Sequence, residues 1–420
     1  MVYYDFVIIG AGISGLNTGI GILKKYPDKR VVVIERNPRT GGRVYTDKVK
    51  VNGKNYRFDA GAGRFSNTHH RVLALIKKYS LESKMFKLSK EYNSIATKKY
   101  DKSIEFENAD QVIDALIEKS KDISDKKLES MTFKEFCTMV FGSNVAKYLE
   151  NMYPYYSEIV LVNAKLALQE FIKDLGHNKT FYVLGGGLSQ ITDNLTREFK
   201  SLGGILRLKT SLKGFTKTGD NFQLQLEKSD GSQVKCNCEK LILGVPGNIL
   251  KGLEYMKKHY LDELASLDCQ PLLRIYNLYS KSKTTGKVWF QDVPRTVTDS
   301  KIKYIIPINY ADGSIMISYT DGPNANYWNS IPESQLEKKL HAEAIKLYPE
   351  IGSIPNAVFS KKYYWSTGAC YFKKGFDYKV IQRKMLNPES NLFLCGDSFS
   401  DNQAWMEGAL QTSEKILKKI

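Results

Sequence analysis

The sequence predicts an α/β fold nucleated by a parallel strand–helix–strand unit, and three features near the N-terminus predict it. The first is the apolar run Asp5-Phe6-Val7-Ile8-Ile9, which ends in Gly10-Ala11-Gly12-Ile13-Ser14-Gly15 and opens the helical stretch Leu16 to Lys25. The second is a further apolar run, Val31-Val32-Val33-Ile34, ending in Glu35. The third is Arg39-Thr40-Gly41-Gly42-Arg43-Val44.

Each element has a physical reason. Gly10 permits a tight turn off the strand, Gly12 lets the backbone approach a pyrophosphate, and Gly15 lets the helix pack closely on the sheet. The helix start after the glycine turn, which carries Ile13 and Ser14, presents N–H groups and a positive dipole end to phosphates. Glu35 lies 20 residues after Gly15, a spacing that suits an acid bonding ribose hydroxyls. Together these define a dinucleotide-binding unit, and the added Gly41-Gly42-Arg43 segment points to FAD rather than NAD.

Composition sets bounds. The chain has 420 residues, enough for two domains, and 42% hydrophobic content is ordinary for a globular protein. No apolar stretch is long enough to span a bilayer, and a strand starting by Asp5 leaves no room for a signal peptide, so a cytoplasmic protein without a membrane anchor is expected. The six cysteines show no CxxC pair, which suggests reduced thiols and no metal site. Cys236 and Cys238 are expected to face one side of a strand. The net charge of +17 comes from lysines spread along the whole length, without a nucleic-acid-binding motif. It reads as a solvated surface whose field attracts anions and slightly repels cationic polyamines.

Along the chain, a helix is expected from His70, short strands and turns over Lys84 to Ile104, and helices from Ala109 to Leu175, with a start at Ser130 to Glu135. Phe181 to Leu184 reads as a strand running into Gly185-Gly186-Gly187 and a helix to Phe199. Strands follow at Ile205 to Leu208, Phe222 to Leu226, Val234 to Cys238 and Leu241 to Pro246. Leu272 to Tyr319 suggests an antiparallel sheet, Pro332 to Leu347 a helix, and Asn391 to Asp397 a last buried strand before a helix from Met406. The expected fold is a discontinuous Rossmann-like FAD-binding domain (1–80, 184–250 and 385–420). A substrate-binding domain of mixed or antiparallel sheet plus helices (81–183 and 251–384, helical over 109–175) is inserted into it.

On these motifs the chain resembles the flavin-containing amine oxidase superfamily, which includes monoamine, polyamine and L-amino-acid oxidases. The resemblance runs in order through Gly10 to Gly15, Glu35, Gly41-Gly42-Arg43, Phe58 to Ala62, Gly185 to Gly187, Leu243 to Pro246, Gly396-Asp397 and Trp405 to Ala409. It implies that Glu35 holds the adenosine ribose, that Arg43 sits near the pyrophosphate and flavin, and that Gly396-Asp397 contacts the ribityl-pyrophosphate. The helix start at Met406 would face the flavin C2 carbonyl. Arg36, Gly42, Gly61, Ala62, Arg64 and Leu212 complete the expected cofactor set. The implied chemistry is oxidation of an amine C–N bond to an imine, with dioxygen accepting the electrons and yielding hydrogen peroxide. Oligomeric state is left open, a dimer being one option.

Four positions decide the details. Tyr371 and Trp405 match the two aromatic rings that flank the amine in monoamine oxidases. Cys370, in Gly368-Ala369-Cys370-Tyr371, matches the segment where those enzymes attach FAD by a thioether; noncovalent FAD is the main expectation and the thioether the alternative. Arg274 stands where the family usually carries a lysine that serves oxygen reactivity, so an acceptor other than O2 stays open. Arg64 resembles the arginine that L-amino-acid oxidases and tryptophan monooxygenase place on a substrate carboxylate, although those families usually have Met where Gly63 stands. The main expectation is a monoamine or polyamine substrate. The alternatives are an amino acid held by Arg64, a desaturase or porphyrinogen-oxidase-like reaction, and a catalytically weak FAD-binding protein.

Overall fold

The structure is a computed structural model that describes residues 2–89, 91–175 and 179–420. Strand β1 (Val2–Ile9) lies between β2 (Val31–Ile34) and the strand Gln233–Leu243, parallel to both. Every residue of β2 is buried, as a strand covered on both faces requires. Helix α1 (Ile13–Lys25) links β1 to β2. The full sheet runs Thr210–Thr218, Asn221–Lys228, Gln233–Leu243, β1, β2, Ile205–Arg207, with Leu392–Leu394 pairing to the end of Gln233–Leu243.

Register positions the site. Ile9 stands opposite both Ile34 and Leu243, and Leu243 stands opposite Leu394. Four parallel strands therefore stop at one level, and Gly10, Glu35, Gly244 and Gly396 lie just beyond it. A crevice at the carboxyl ends of parallel strands is where open α/β sheets bind ligands.

One face of this sheet is covered by α1 and the helices Ser189–Ser201 and Met406–Leu417, sharing one apolar core. Phe199 is the wedge of that layer. It is fully buried, and a Cβ added at Gly19 or Gly204 would come within 2.7 or 2.4 Å of its ring.

The second sheet has six strands in the order Phe359–Phe372, Leu267–Leu278, Ser314–Asp321, Tyr304–Asn309, Arg295–Thr298, Tyr92–Ile95. All neighbours are antiparallel except the last pair. Helices Gly322–Ser330 and Glu333–Leu347 contribute to its core. The 109–175 region is helical around a core of its own. Its helix Phe133–Met152 starts with a reciprocal cap: Glu135 N–H donates to Thr132 Oγ1 at 3.2 Å, and Thr132 N–H donates to Glu135 Oε2 at 2.7 Å.

Several elements differ from the sequence expectation. α1 begins at Ile13 rather than Leu16, because the glycine turn already carries helical bonding. The strands expected at 234–238 and 241–246 are one strand, Gln233–Leu243. The helical region is interrupted at Gly142, whose φ of 85° no helix accommodates. The strand Thr210–Thr218, which carries Leu212, was not anticipated, nor were the hairpin Thr46–Val51/Lys54–Asp59 and the long strand Phe359–Phe372. The expectation of six reduced thiols is also corrected. Antiparallel register sets Cys269 directly opposite Cys370, with Cα atoms 3.9 Å apart, and a disulfide joins them. These cysteines are 101 residues apart, a separation that carries no spacing signature. Cys137, Cys236, Cys238 and Cys395 are free and buried. Among the described residues, no helix is long and apolar enough to cross a membrane.

Phe199→Ala is expected to lower stability by about 3–5 kcal/mol through loss of the wedge and the cavity it leaves. Denaturant unfolding of the purified protein measures it. A loss below about 1 kcal/mol would show that the helical layer closes without the ring.

Candidate active site

A cavity of about 620 Å³ opens at the carboxyl ends of the parallel strands and extends between the two sheets. It is lined by Gly10, Gly12, Ile13, Ser14, Glu35, Arg36, Gly42, Arg43, Gly61, Ala62, Arg64, Leu212, Arg274, Tyr371, Gly396, Asp397, Trp405 and Met406. Those are the residues singled out from the sequence, with two exceptions. Gly15 lies beneath the turn, where an added Cβ would meet the Gly10 carbonyl oxygen at 2.1 Å. Cys370 turns to the opposite side of its strand, into the disulfide with Cys269 and the core below.

The dinucleotide end fits an extended phosphate-bearing ligand. Gly10 has φ +104°, and an added Cβ would fall 2.4 Å from the Gly244 oxygen. Gly12 faces open space: a Cβ there would meet nothing within 4 Å and would project from the cavity wall. Gly12 caps α1 in an extended conformation, without a side-chain cap and without an acid in the first turn, so the helix start is left to an anion. Glu35 Oε2 accepts from the Ala11 N–H at 3.0 Å, and Oε1 accepts from the Asn37 N–H at 2.8 Å. Its carboxylate is thereby fixed at the cavity edge.

Arg43 forms a two-point ion pair with Asp397, and its Nη1 also donates to the Gly368 oxygen at 2.9 Å. Ala404 adopts φ 66°, turning the chain so that Trp405 and the start of helix Met406–Leu417 reach the cavity. Trp365, on the same wall, donates from Nε1 to the Ala60 oxygen at 2.7 Å.

Arg274 is buried. Its Nη1 donates to the Asp59 oxygen at 2.9 Å, and its guanidinium lies 4.5 Å from the Tyr319 ring centre. Burial alone would lower its pKa; the Tyr319 and Tyr276 oxygens outweigh that and raise it, so the group stays a cation. A Cβ on Gly63 would fall 2.2 Å from Arg274 Nη1.

Arg64 occupies the other end. Its Nη2 donates to Tyr155 Oη at 2.9 Å, and its guanidinium sits 4.4 Å from the Phe181 ring centre and 5.9 Å from that of Trp405. Among the described residues no carboxylate forms an ion pair with it. Burial works to lower its pKa, but Tyr155, Tyr304 and Tyr319 raise it, leaving a cation in an aromatic box. Tyr371 donates to Glu158 Oε1 at 3.1 Å, and Trp405 donates from Nε1 to Glu170. His69 packs its ring edge against Trp405, with centres 4.8 Å apart.

Sequence reasoning missed Tyr155, Glu158, Tyr319 and Asp321, all of which line the cavity. Glu158 and Asp321 are a close acid pair of unequal character. Asp321 accepts from Tyr156 N–H at 2.7 Å, Ser157 N–H at 2.9 Å and Ser157 Oγ at 2.5 Å. Among the described residues, the Tyr371 hydroxyl is the one side chain that donates to Glu158, and its buried Oε2 has no hydrogen-bond partner. Burial and the neighbouring Asp321 charge push the Glu158 carboxyl up to about 8. The only hint in the sequence was Pro154, which marks a break in the helical region just before Tyr155 and Glu158.

A doubly wound sheet with a dinucleotide cradle, joined to a second sheet across one cavity, defines a flavoprotein oxidoreductase architecture. Residues 13–415 match the profile of the family described as flavin containing amine oxidoreductase, and the chain belongs to that family. It is an FAD-dependent, amine-oxidase-like oxidoreductase. Among its relatives, an uncharacterized protein of Acanthamoeba polyphaga mimivirus is 24% identical over 487 residues, covering 99% of this chain and 93% of that one. An L-amino-acid oxidase of Siganus canaliculatus is 22% identical over 462 residues, covering 99% and 84%. A solved structure of putrescine oxidase bound to putrescine shares the fold with a TM-score of 0.75 at 14% identity, covering 100% of this chain and 99% of that one.

The raised Glu158 pKa has a consequence for stability. The group is neutral in the folded protein up to about 8, whereas in the unfolded chain it ionises at the ordinary carboxyl value. Its stabilising contribution is therefore full below the ordinary value and is lost as pH rises through the folded one. Melting temperature is expected to fall between about pH 5 and about pH 9 more steeply in the native protein than in Glu158→Gln. Parallel curves would mean that Glu158 is already ionised in the fold.

Proposed function

We propose that the protein oxidises the Cα–N bond of an α-amino acid to the imine, with Arg64 holding the substrate carboxylate. The observation that carries this is the half-buried Arg64 guanidinium, which lines the cavity and, among the described residues, is ion-paired to no carboxylate. A desolvated cation without a counter-charge is costly, and a fork-shaped guanidinium suits a carboxylate bidentately. A simple amine would leave it unanswered. The L-amino-acid oxidase similarity of the Siganus canaliculatus relative agrees with this reading.

Bound FAD would supply the two-electron oxidation. In this reading, Gly10, Gly12, Ile13, Ser14, Glu35, Arg36, Gly42, Arg43, Gly61, Ala62, Leu212, Gly396, Asp397 and Met406 hold the cofactor. The segments 1–80, 184–250 and 385–420 form its domain, and 81–183 with 251–384 form the substrate domain. Tyr371 and Trp405 place their rings beside the reactive amine and exclude water from it, which favours the neutral form that gives up its C–H bond. Attachment of FAD is noncovalent, because the Cys370 sulfur is engaged with Cys269 on the far side of its strand. Dioxygen is the acceptor, and Arg274 donates hydrogen bonds without exchanging a proton.

Anaerobic mixing with amino acids and with the corresponding decarboxylated amines tests the substrate class. Amino acids are expected to bleach the flavin absorbance, and Arg64→Met is expected to lower kcat/KM for them by about 100-fold while affecting amines far less. Equal losses for both would assign Arg64 to the cofactor. Acid denaturation is expected to release the flavin into the supernatant; flavin retained on the precipitated chain would overturn noncovalent binding.

A further inference from the structure

We infer that the cavity selects an α-amino acid whose side chain ends in a second, cationic group, and that Glu158 is the residue that takes this cation. The inference rests on the α-amino-acid reading above. It starts from two unanswered groups: among the described residues, Arg64 lines the cavity with no acid ion-paired to it, and the Glu158 carboxyl lines it with no basic group paired to it. Neither group answers the other, since no ion pair forms between them among the described residues.

Three acids gather around the aromatic pair. Tyr371 donates to Glu158, Trp405 donates to Glu170, and Asp321 stands beside Glu158. Asp321 is already satisfied by the Tyr156 and Ser157 donors and by the charge of the nearby Lys303. Glu158 is not: its buried Oε2 has no hydrogen-bond partner. A buried carboxyl with one bare oxygen is a costly arrangement that a cation in the cavity would relieve.

The α-amine of the substrate does not fill this role. It has to be neutral when its C–H bond is oxidised, so it offers Glu158 no lasting positive charge. Glu158 also lies at the hydroxyl end of Tyr371 rather than against the ring face proposed to hold that amine. A distal ammonium or guanidinium keeps its charge throughout turnover. With its carboxylate on Arg64 and its far cation on Glu158, a basic amino acid answers both groups. Its bound ammonium lowers the Glu158 pKa, so the acid releases a proton and pairs as a carboxylate.

Two unreactive probes test this on the FAD-loaded protein: 6-aminohexanoate, which carries a carboxylate and a distal ammonium but no α-amine, and hexanoate, which lacks the ammonium. Binding is read from the change in flavin absorbance on titration. 6-Aminohexanoate is expected to bind at least about tenfold more tightly than hexanoate, and Glu158→Gln is expected to bring the two together. In the native protein, N-acetyl-6-aminohexanoate should bind like hexanoate, an arm that needs no variant. Equal binding of 6-aminohexanoate and hexanoate would overturn the inference, as would a preference that survives in Glu158→Gln. Failure of the α-amino-acid reading looks different: neither carboxylate would bind, while hexylamine would.

Discussion

One guanidinium holds the cavity together. Arg43, set by the Gly41-Gly42 turn, pairs at two points with Asp397 from the far end of the chain and also donates to the Gly368 oxygen on the second sheet. A single side chain thus fixes three segments, two of them separated by 354 residues. The pair is partly shielded from water and fork-shaped, the geometry in which an ion pair carries directional as well as electrostatic weight. Without it, the turn after β2, the loop after Leu392–Leu394 and the strand carrying Tyr371 would have no common anchor. The cradle of glycines beside it would have no fixed far wall.

Legibility of the sequence followed sequence separation. The β1–turn–α1–β2 unit could be read because its strand, glycine turn, helix and acid are local and periodic. So could Tyr371, Trp405 and Arg64, because each sits in a motif. What escaped were contacts made by register. The disulfide depends on Cys269 lying opposite Cys370 across two strands, and no spacing rule encodes that. Glu158 escaped for a related reason. It lies in a short helix, Tyr156–Val160, of a region read simply as helical, and it becomes special only when Asp321, on the strand Ser314–Asp321, folds against it.

The two ends of the cavity obey different electrostatic rules. The dinucleotide end is prepared by backbone: a helix start, turns and glycines, with charge supplied by partial dipoles. The other end is prepared by side chains whose full charges are buried among tyrosines, where desolvation makes every unanswered charge expensive. Aromatic rings and phenolic oxygens make such burial tolerable. Arg64 and Arg274 each stack near rings and face tyrosine oxygens rather than carboxylates.

Arg274 and Gly63 are coupled by space. Here a side chain at position 63 would occupy the space of the Arg274 guanidinium, since even a Cβ would fall 2.2 Å from Nη1. The absence of a side chain at position 63 leaves the room that the guanidinium fills. The group at 274 is a planar cation that does not give up its proton. Whatever the group at 274 does for the acceptor, it does as a fixed charge, anchored to the Asp59 carbonyl and framed by Tyr276 and Tyr319.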